Sequence, residues 1–542
     1  MKLTDLTLYQ AFKRAADANP NATAIYYFST KISYGKLDAQ IERMASILQN
    51  DYFVSKGDTV LISLPNIPQT IILLYAVNKI GAICNMVHPH TPMAGMQKFY
   101  NESNCKVAFL LDRKVYKQIN DYKKFDGNIV LCDIQTYFFD KALRTVYDLA
   151  SKAQKRALST NTRFNFYRKF KTNKTPSQEI VLTHNEPCVL LHSASTTGES
   201  KTIMLSSTPF NYTAELTPEI MCMSEQELIG KPLISILPSF HGFGLCMSMH
   251  APLVNRMGIV LIPKYRPSQI SRPMRRIKVC SCICGVPTVY KTLISDNGFA
   301  KNKYIKNLCS CFSGGDSLSS VIKENFDNLM VKHKSKCRLF EGYGLTEVLS
   351  VSAVNTHAHH KYGSVGYPLK GVSFRILDDD GNILEPNKIG EISIKSKTSM
   401  IGYYNNPESS KNVYEDGYLR TGDVGYIDED GFVYFVSRKK RVIKVSGVAV
   451  FPNEIESVIS RLSFVKNCCA IEIPDEKTIH AVKVFVVASS EDKEKIIDQC
   501  KKNLISWAIP KEIEFVDKLP YTKYHKVNFE KLQLEENKKR GI

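Results

Sequence analysis

Five times in the middle of the chain a short apolar run breaks into a turn rich in glycine and hydroxyl or histidine side chains. Residues 188–191 lead into HSASTTGESK, 233–237 into PSFHGFG, 279–284 into GVPTVY, 308–312 into SGGDSLS and 338–340 into EGYGLTE. Runs this short, without polar alternation, suit strands buried on both faces, and such strands belong to parallel sheets. Between them lie helical patterns such as Val321, Ile322, Phe326, Leu329 and Met330. The class is therefore α/β, and in open parallel sheets ligands sit beyond the C-terminal ends of strands, where these unusual turns fall.

With 542 residues the chain divides into several units, since single cores stop growing near ~250–300 residues. Its 44% hydrophobic and 23% charged residues exclude the disordered and fibrous classes. The composition of the chain changes near Arg438. GFVYFVS reads as a strand, RKKR follows, and a helix signal restarts at Asn453, predicted as the cap of a helix carrying Ile455, Val458, Ile459 and Leu462. Two apolar strands, a helix over 491–507 and a strand over 513–516 complete a small α+β unit of the size of a separate domain.

The N-terminal MKLTDLTLYQ lacks the basic and apolar regions of a secretory signal. The most apolar window, 71–87, is interrupted by Asn78, Lys79 and Asn85, which predicts a buried helix and not a membrane span. Fifteen cysteines, an odd number, fit a reducing, cytoplasmic interior. Cys280, Cys282 and Cys284, like Cys309 and Cys311, alternate as on one strand face, and core packing accounts for them better than a metal site. The net charge of +19 favours anionic partners: nucleotides, acidic lipid surfaces or nucleic acid. Nothing resembles a nucleic-acid module, so nucleic acid is not expected. In residues 152–174, Arg163, Arg168, Lys169 and Lys171 interleave with Phe164, Phe166, Tyr167 and Phe170. Two readings stay open, a solvated connector whose aromatics pack on the domain beneath, or a peripheral contact with an anionic membrane.

SASTTGESK offers hydroxyls, backbone N–H groups and a terminal lysine, a set able to wrap phosphate oxygens, although no Gly-Lys pair makes it a P-loop. Downstream come LPSFHGFG, SGGDSLS, EGYGLTE, GSVGYP, GYYNNPE, DGYLRTGDVGYID, SRKKRVIKVSG and LPYTKYHK. Their order and spacing over nearly the whole chain resemble the adenylate-forming superfamily of acyl-CoA synthetases, aryl-CoA ligases, luciferases and peptide-synthetase adenylation domains.

The resemblance implies a large N-terminal α/β domain with parallel sheets over 1–437, a hinge at 438–441 and a small mobile α+β C-terminal domain over 442–542. It implies two steps: a carboxylate attacks the α-phosphate of ATP, giving acyl-adenylate and pyrophosphate, and a thiol then takes the acyl group. Ser195, Thr196, Thr197, Gly198 and Lys201 match the phosphate loop, with Thr197 also catalytic. Glu347, with Thr197, matches the Mg²⁺ site. Gly314, Gly315, Asp316, Tyr343, Gly344 and Thr346 match the adenine and phosphate contacts. Asp423 matches the ribose-binding carboxylate and Arg438 its support. Lys440 matches the hinge position, Gly447 the thiol channel, and Lys526 the lysine that stabilises charge in the first step.

Four positions depart from the family pattern. Ser195 and Thr202 stand where glycine is usual, Ser200 where proline is, and His525 where glycine precedes the catalytic lysine; side chains at glycine sites restrict positive φ. His241 follows Phe240 where amino-acid-activating relatives carry Asp, so an acid with an uncharged tail is expected, with His241, matched to the catalytic set, lying near its carboxylate or gating the pocket. A fatty acid with CoA as acceptor is the leading expectation. An aryl acid, an acyl carrier protein as acceptor, and a nucleotide-binding protein with weak or no turnover stay as alternatives.

Overall fold

The computed structural model describes residues 2–160, 164–170, 175–180, 182–183, 185–193, 201–446, 448–522 and 527–541. Each of the five apolar runs contains a strand: Val189–His192, Pro232–Ser235, Cys282–Gly285, Ser310–Ser313 and Leu339–Tyr343. Their residues are buried apart from half-buried Glu341 and Gly342, as expected for strands covered on both faces. The last four share a nine-stranded sheet with Gly258–Leu261 and Thr23–Tyr27, and these six run parallel. Val189–His192 lies in a second sheet of eight strands, next to Ile83–Met86 in parallel and Thr202–Leu205 in antiparallel register. A third, antiparallel sheet joins Val372–Leu377, Gly390–Ser396, Tyr418–Ile427 and Val433–Arg438.

The apolar window 71–87 resolves into the wholly buried helix Pro68–Lys79, a turn at Gly81 (φ 72°) and the strand Ile83–Met86. Two of its polar residues find partners inside: the Asn78 side-chain oxygen accepts the Tyr9 N–H at 2.8 Å, and Lys79 pairs with Glu42 at 3.0 Å. No helix among the described residues is long and apolar enough to cross a membrane. Cys282 and Cys284 share a strand face with sulfurs 4.0 Å apart, and the alternating cysteines lie in the core, Cys309 half-buried at its margin.

The small α+β unit packs the antiparallel strands Val465–Asp475 and Ile479–Ala488 with Glu512–Phe515. Val450, Ile455, Ile459, Val484, Val486 and Ile496 form one core, whereas Cys469, Ile471, Phe485, Leu519 and Leu532 form another. Two expectations are corrected here. Asn453 is not a cap: the helix Pro452–Ile459 starts at Pro452, whose fixed φ suits the first turn, and the Asn453 amide donates to the Val436 carbonyl at 3.2 Å. The helix expected over 491–507 spans only Lys493–Asn503, because the Asp492 carboxylate caps it and Leu504 turns extended; Trp507 lies in a separate short turn.

The described residues of 152–174 form a helix, an edge strand and a short turn. Lys152–Ser159 is helical, and Phe164–Phe166 pairs with Asn128–Cys132 as the edge strand of the second sheet. Phe164 and Tyr167 are buried, Arg168 faces Asp133 and Asp148, and Lys169 sits over the Phe166 ring. Arg163 and Lys171 lie outside the described residues.

Candidate active site

Strand alternation turns Asp423 inward from Tyr418–Ile427, and register sets Arg438 directly opposite it on Val433–Arg438. Asp423 is 2% exposed. A carboxylate buried that deeply needs partners, and it has them: Arg438 Nε lies at 2.9 Å, and the Tyr343 hydroxyl donates at 2.6 Å. Burial and the Asp423 carboxylate push the Tyr343 phenol well above its usual pKa. The Tyr343 ring packs near-parallel to Phe435, centroids 6.2 Å apart, with Phe374 on another side.

Tyr343 belongs to the strand Leu339–Tyr343, whose neighbour Ser310–Ser313 ends in the Gly314–Gly315–Asp316 turn. Gly315 has φ 77°, the left-handed region open to glycine, while Asp316 is exposed and accepts the Ser317 N–H at 3.0 Å. Two loops are locked together by backbone contact. A Cβ at Gly344 would run into the Ser350 carbonyl, and one at Gly242 into the Leu349 carbonyl. The loop holding His241 is thereby fixed against the one holding Thr346 and Glu347.

Thr346 and Glu347 open the short turn Thr346–Val348, both half-buried. The Glu347 carbonyl accepts the Met400 N–H at 2.7 Å, and its carboxylate receives the Tyr403 hydroxyl at 3.2 Å. Lys201 Nζ lies 4.3 Å from the Tyr403 ring centroid, a cation–π distance. Antiparallel pairing of Gly402–Tyr403 with Thr202–Leu205 joins these groups, so the end of the phosphate-loop motif and Glu347 face one another through Tyr403. Tyr403 carries no motif signal beyond its place in GYYNNPE. Ser195, Thr196, Thr197, Gly198, Ser200, Gly447, His525 and Lys526 lie outside the described residues, so their expected roles carry no geometry.

Thr202, one of the departures, is accommodated without strain. It is paired in a regular strand with His192 and accepts the Tyr404 N–H on its carbonyl at 2.7 Å. The Asn85 amide nitrogen is held by Ser103 Oγ at 3.1 Å, so its oxygen faces His192 and takes the Nε2–H at 2.6 Å. His192 Nδ1 then accepts the Thr202 hydroxyl proton at 3.1 Å.

His241 is half-buried just before a helix of wide, i→i+5 turns, Phe243–His250, a geometry that recurs at functional sites. The Phe240 ring sits between His241, at 4.9 Å, and His88, at 4.3 Å. His88 was not singled out from the sequence; its signal is the HPHTP turn that closes the apolar strand Ile83–Met86. Farther along, burial pushes His250 down to about 3, so it is neutral between the Tyr75 hydroxyl and the Asn211 side-chain oxygen. Burial also raises Glu341, two residues before Tyr343, to about 7, opposed by Lys323.

Behind Asp423 lies a second carboxylate that the motifs do not mark. Glu391, 7% exposed, receives Arg420 Nη2 at 2.7 Å, Lys439 Nζ at 3.1 Å and the Gly422 N–H at 3.3 Å. Burial raises its pKa, but Arg420 and Lys439 outweigh burial and hold it below the usual carboxylate range. Arg438 and Lys439 are thus both anchored to the large unit. Arg441, two residues on, is held by the small one through Asn453 Oδ1 at 2.9 Å, Glu456 at 2.6 Å and the Ala470 carbonyl at 3.3 Å. Lys440 lies between these anchors.

Two parallel-containing sheets, an antiparallel sheet bearing Asp423 and a small α+β unit beyond Arg441 define the adenylate-forming class of enzymes. The AMP-binding enzyme family model matches residues 12–404, and the model of the AMP-binding enzyme C-terminal domain matches 454–526. The chain belongs to the AMP-binding enzyme family. A long-chain-fatty-acid–CoA ligase of Bacillus subtilis is 27% identical over 100% of this chain and 97% of its own. Among solved structures, the anthranilate CoA ligase AuaEII in complex with anthranoyl-AMP superposes with TM-score 0.82 at 20% identity, covering 99% of each chain. The o-succinylbenzoate coenzyme A synthetase of Bacillus subtilis, in complex with ATP and magnesium ion, gives TM-score 0.79 at 21% identity, over 96% of this chain and 99% of that one.

Proposed function

We propose that this chain activates a carboxylic acid, in the first instance a fatty acid, with ATP and transfers the acyl group to CoA, releasing AMP and pyrophosphate. The observation that carries this reading is the buried Asp423 carboxylate, held between Tyr343 of the nine-stranded sheet and Arg438 of the antiparallel one. Its oxygens accept the ribose hydroxyls, Tyr343 and the Gly314–Asp316 turn border the adenine, and Thr196, Thr197, Gly198 and Lys201 hold the phosphates. Glu347, a half-buried carboxylate beside the Tyr403 hydroxyl, is an oxygen donor of the kind Mg²⁺ takes. Glu347 and Thr197 would hold that ion, which when bound neutralises phosphate charge. His241 orients the substrate carboxylate, and Lys526 stabilises negative charge on the α-phosphate as the carboxylate attacks.

The fatty-acid assignment rests on full-length relatives named long-chain-fatty-acid–CoA ligases and on the lack of an acidic residue after Phe240. Exchange of pyrophosphate into ATP, measured with acids from acetate to palmitate and several benzoates, is expected to peak with a fatty acid. A maximum with a benzoate overturns the substrate class, and ATP binding without exchange for any acid overturns the activity. A parallel assay offering CoA and an acyl carrier protein together is expected to yield acyl-CoA.

The domains divide at 437 and 442, and the small one turns about Lys440 between the two half-reactions. Arg438 and Lys439 are tied to one side and Arg441 to the other, which supports a pivot at Lys440. Glu391→Gln is expected to change the ratio of adenylation rate to thioester-forming rate by about fivefold, the scale of one partly exposed ion pair. Equal losses in both half-reactions would mean that the pair merely stabilises the fold.

A further inference from the structure

We propose that the helix Lys141–Ala150 and its flanks form a docking surface for an anionic lipid bilayer. The helix reads KALRTVYDLA, and none of its residues is fully buried. At 100° per residue, Ala142, Val146 and Leu149 fall within a sector of about 60°, with Leu143 and Tyr147 beside them. Only that second edge is covered. Leu143 and Tyr147 pack on the core, Tyr147 against Phe28 and Phe138. Val146 and Leu149 remain 62% and 65% exposed, and Phe139, just ahead of the helix, 63%. The apolar face is therefore wider than the domain beneath it can cover.

Charge selects the occupant. Lys141 and Arg144 on the helix, and Lys152 and Arg156 on the next, are exposed around this apolar strip. Arg113 lies over the Tyr147 ring, and Arg276 donates to the Phe28 carbonyl beneath it. Two anions face them, and both are engaged locally: Asp140 accepts the Leu143 N–H, and Asp148 pairs with Lys155, Arg168 and Arg144. An exposed apolar strip rimmed by cations is the pattern of a helix lying in the headgroup region of an acidic membrane, with aliphatic side chains in the acyl boundary and lysines on the phosphates. The surface differs from the one the sequence suggested: in 164–170 the aromatics face inward and Arg168 is paired, and the exposed apolar groups lie earlier, on 139–149.

The test uses the full chain and vesicles of phosphatidylcholine with or without an equal share of phosphatidylglycerol. The wild-type protein is expected to co-sediment with the acidic vesicles and to be released by raised salt. Val146→Glu/Leu149→Glu, at two solvent-exposed positions, is expected to bind at least about tenfold more weakly, and so is Lys141→Glu/Lys152→Glu. Both variants should unfold at the wild-type temperature and keep exchange activity with a water-soluble acid, whichever acid the enzyme prefers. Unchanged vesicle binding in both variants, or no wild-type binding, overturns the proposal. So does a change of oligomeric state in the apolar variant, which would assign the surface to a second copy of the chain, or selective loss of an acidic carrier protein.

Discussion

Lys526→Ala is expected to lower ATP–pyrophosphate exchange by roughly 100- to 1000-fold, the scale of losing one preorganised group that meets developing charge in a transition state. The same variant, supplied with preformed acyl-adenylate and CoA, should make acyl-CoA within a few-fold of the wild-type rate. The asymmetry follows from where charge builds. In the first step negative charge gathers on the pentacoordinate α-phosphate, and a lysine ammonium offsets it; in the second the thiol attacks the carbonyl, the acyl C–O bond breaks and AMP leaves with one more negative charge, after the proposed rotation has carried Lys526 away. A comparable loss in both steps would remove Lys526 from the first step alone. A small effect on exchange would pass the role to a neighbouring cation, Lys523 or Lys518, and the His525 side chain that precedes Lys526 would then have altered how the segment presents it.

What could be read from the sequence divides along a physical line. Asp423, Glu347 and Tyr343 stand in local strings, YLRTGD and EGYGLTE, and the strand ends that hold them follow from apolar runs of a length only buried strands use. Groups assembled by pairing across strands were not legible. Tyr403 reaches Glu347 because Gly402–Tyr403 adds to the edge of Thr202–Leu205, some 200 residues earlier, and nothing in either string announces that register. Glu391 reads as one polar residue in GEISIKS until Arg420 closes on it from the neighbouring strand and Lys439 from the short turn after Val433–Arg438. The Asn453 cap failed for a local reason, since Pro452 takes the first helical position and frees the Asn453 side chain for Val436 and Arg441. At Thr202 itself no positive φ is needed, because the residue lies in a strand facing His192.

Asp423→Ala is the change that ties this geometry most directly to substrate. Each hydrogen bond to a charged group contributes about 1.5–3 kcal/mol, so if Asp423 accepts two ribose hydroxyls as proposed, its loss should cut exchange by roughly 100- to 10,000-fold at limiting ATP. Loss of fold is a poor rival explanation. Arg438, 56% exposed, would turn to water when its partner is removed, and only the buried Tyr343 hydroxyl would be left without its acceptor, at about 1–3 kcal/mol. A small fall in melting temperature beside a large fall in exchange is therefore expected. Deoxy-ATP analogues separate the two effects. The wild-type enzyme should prefer ATP over the 2′- and 3′-deoxy forms, because each missing hydroxyl leaves part of the buried carboxylate unpaired, whereas the alanine variant should use all three equally badly. If the variant still discriminates against the deoxy forms, the ribose is held elsewhere, and Asp423 serves only to fix Arg438 and Tyr343.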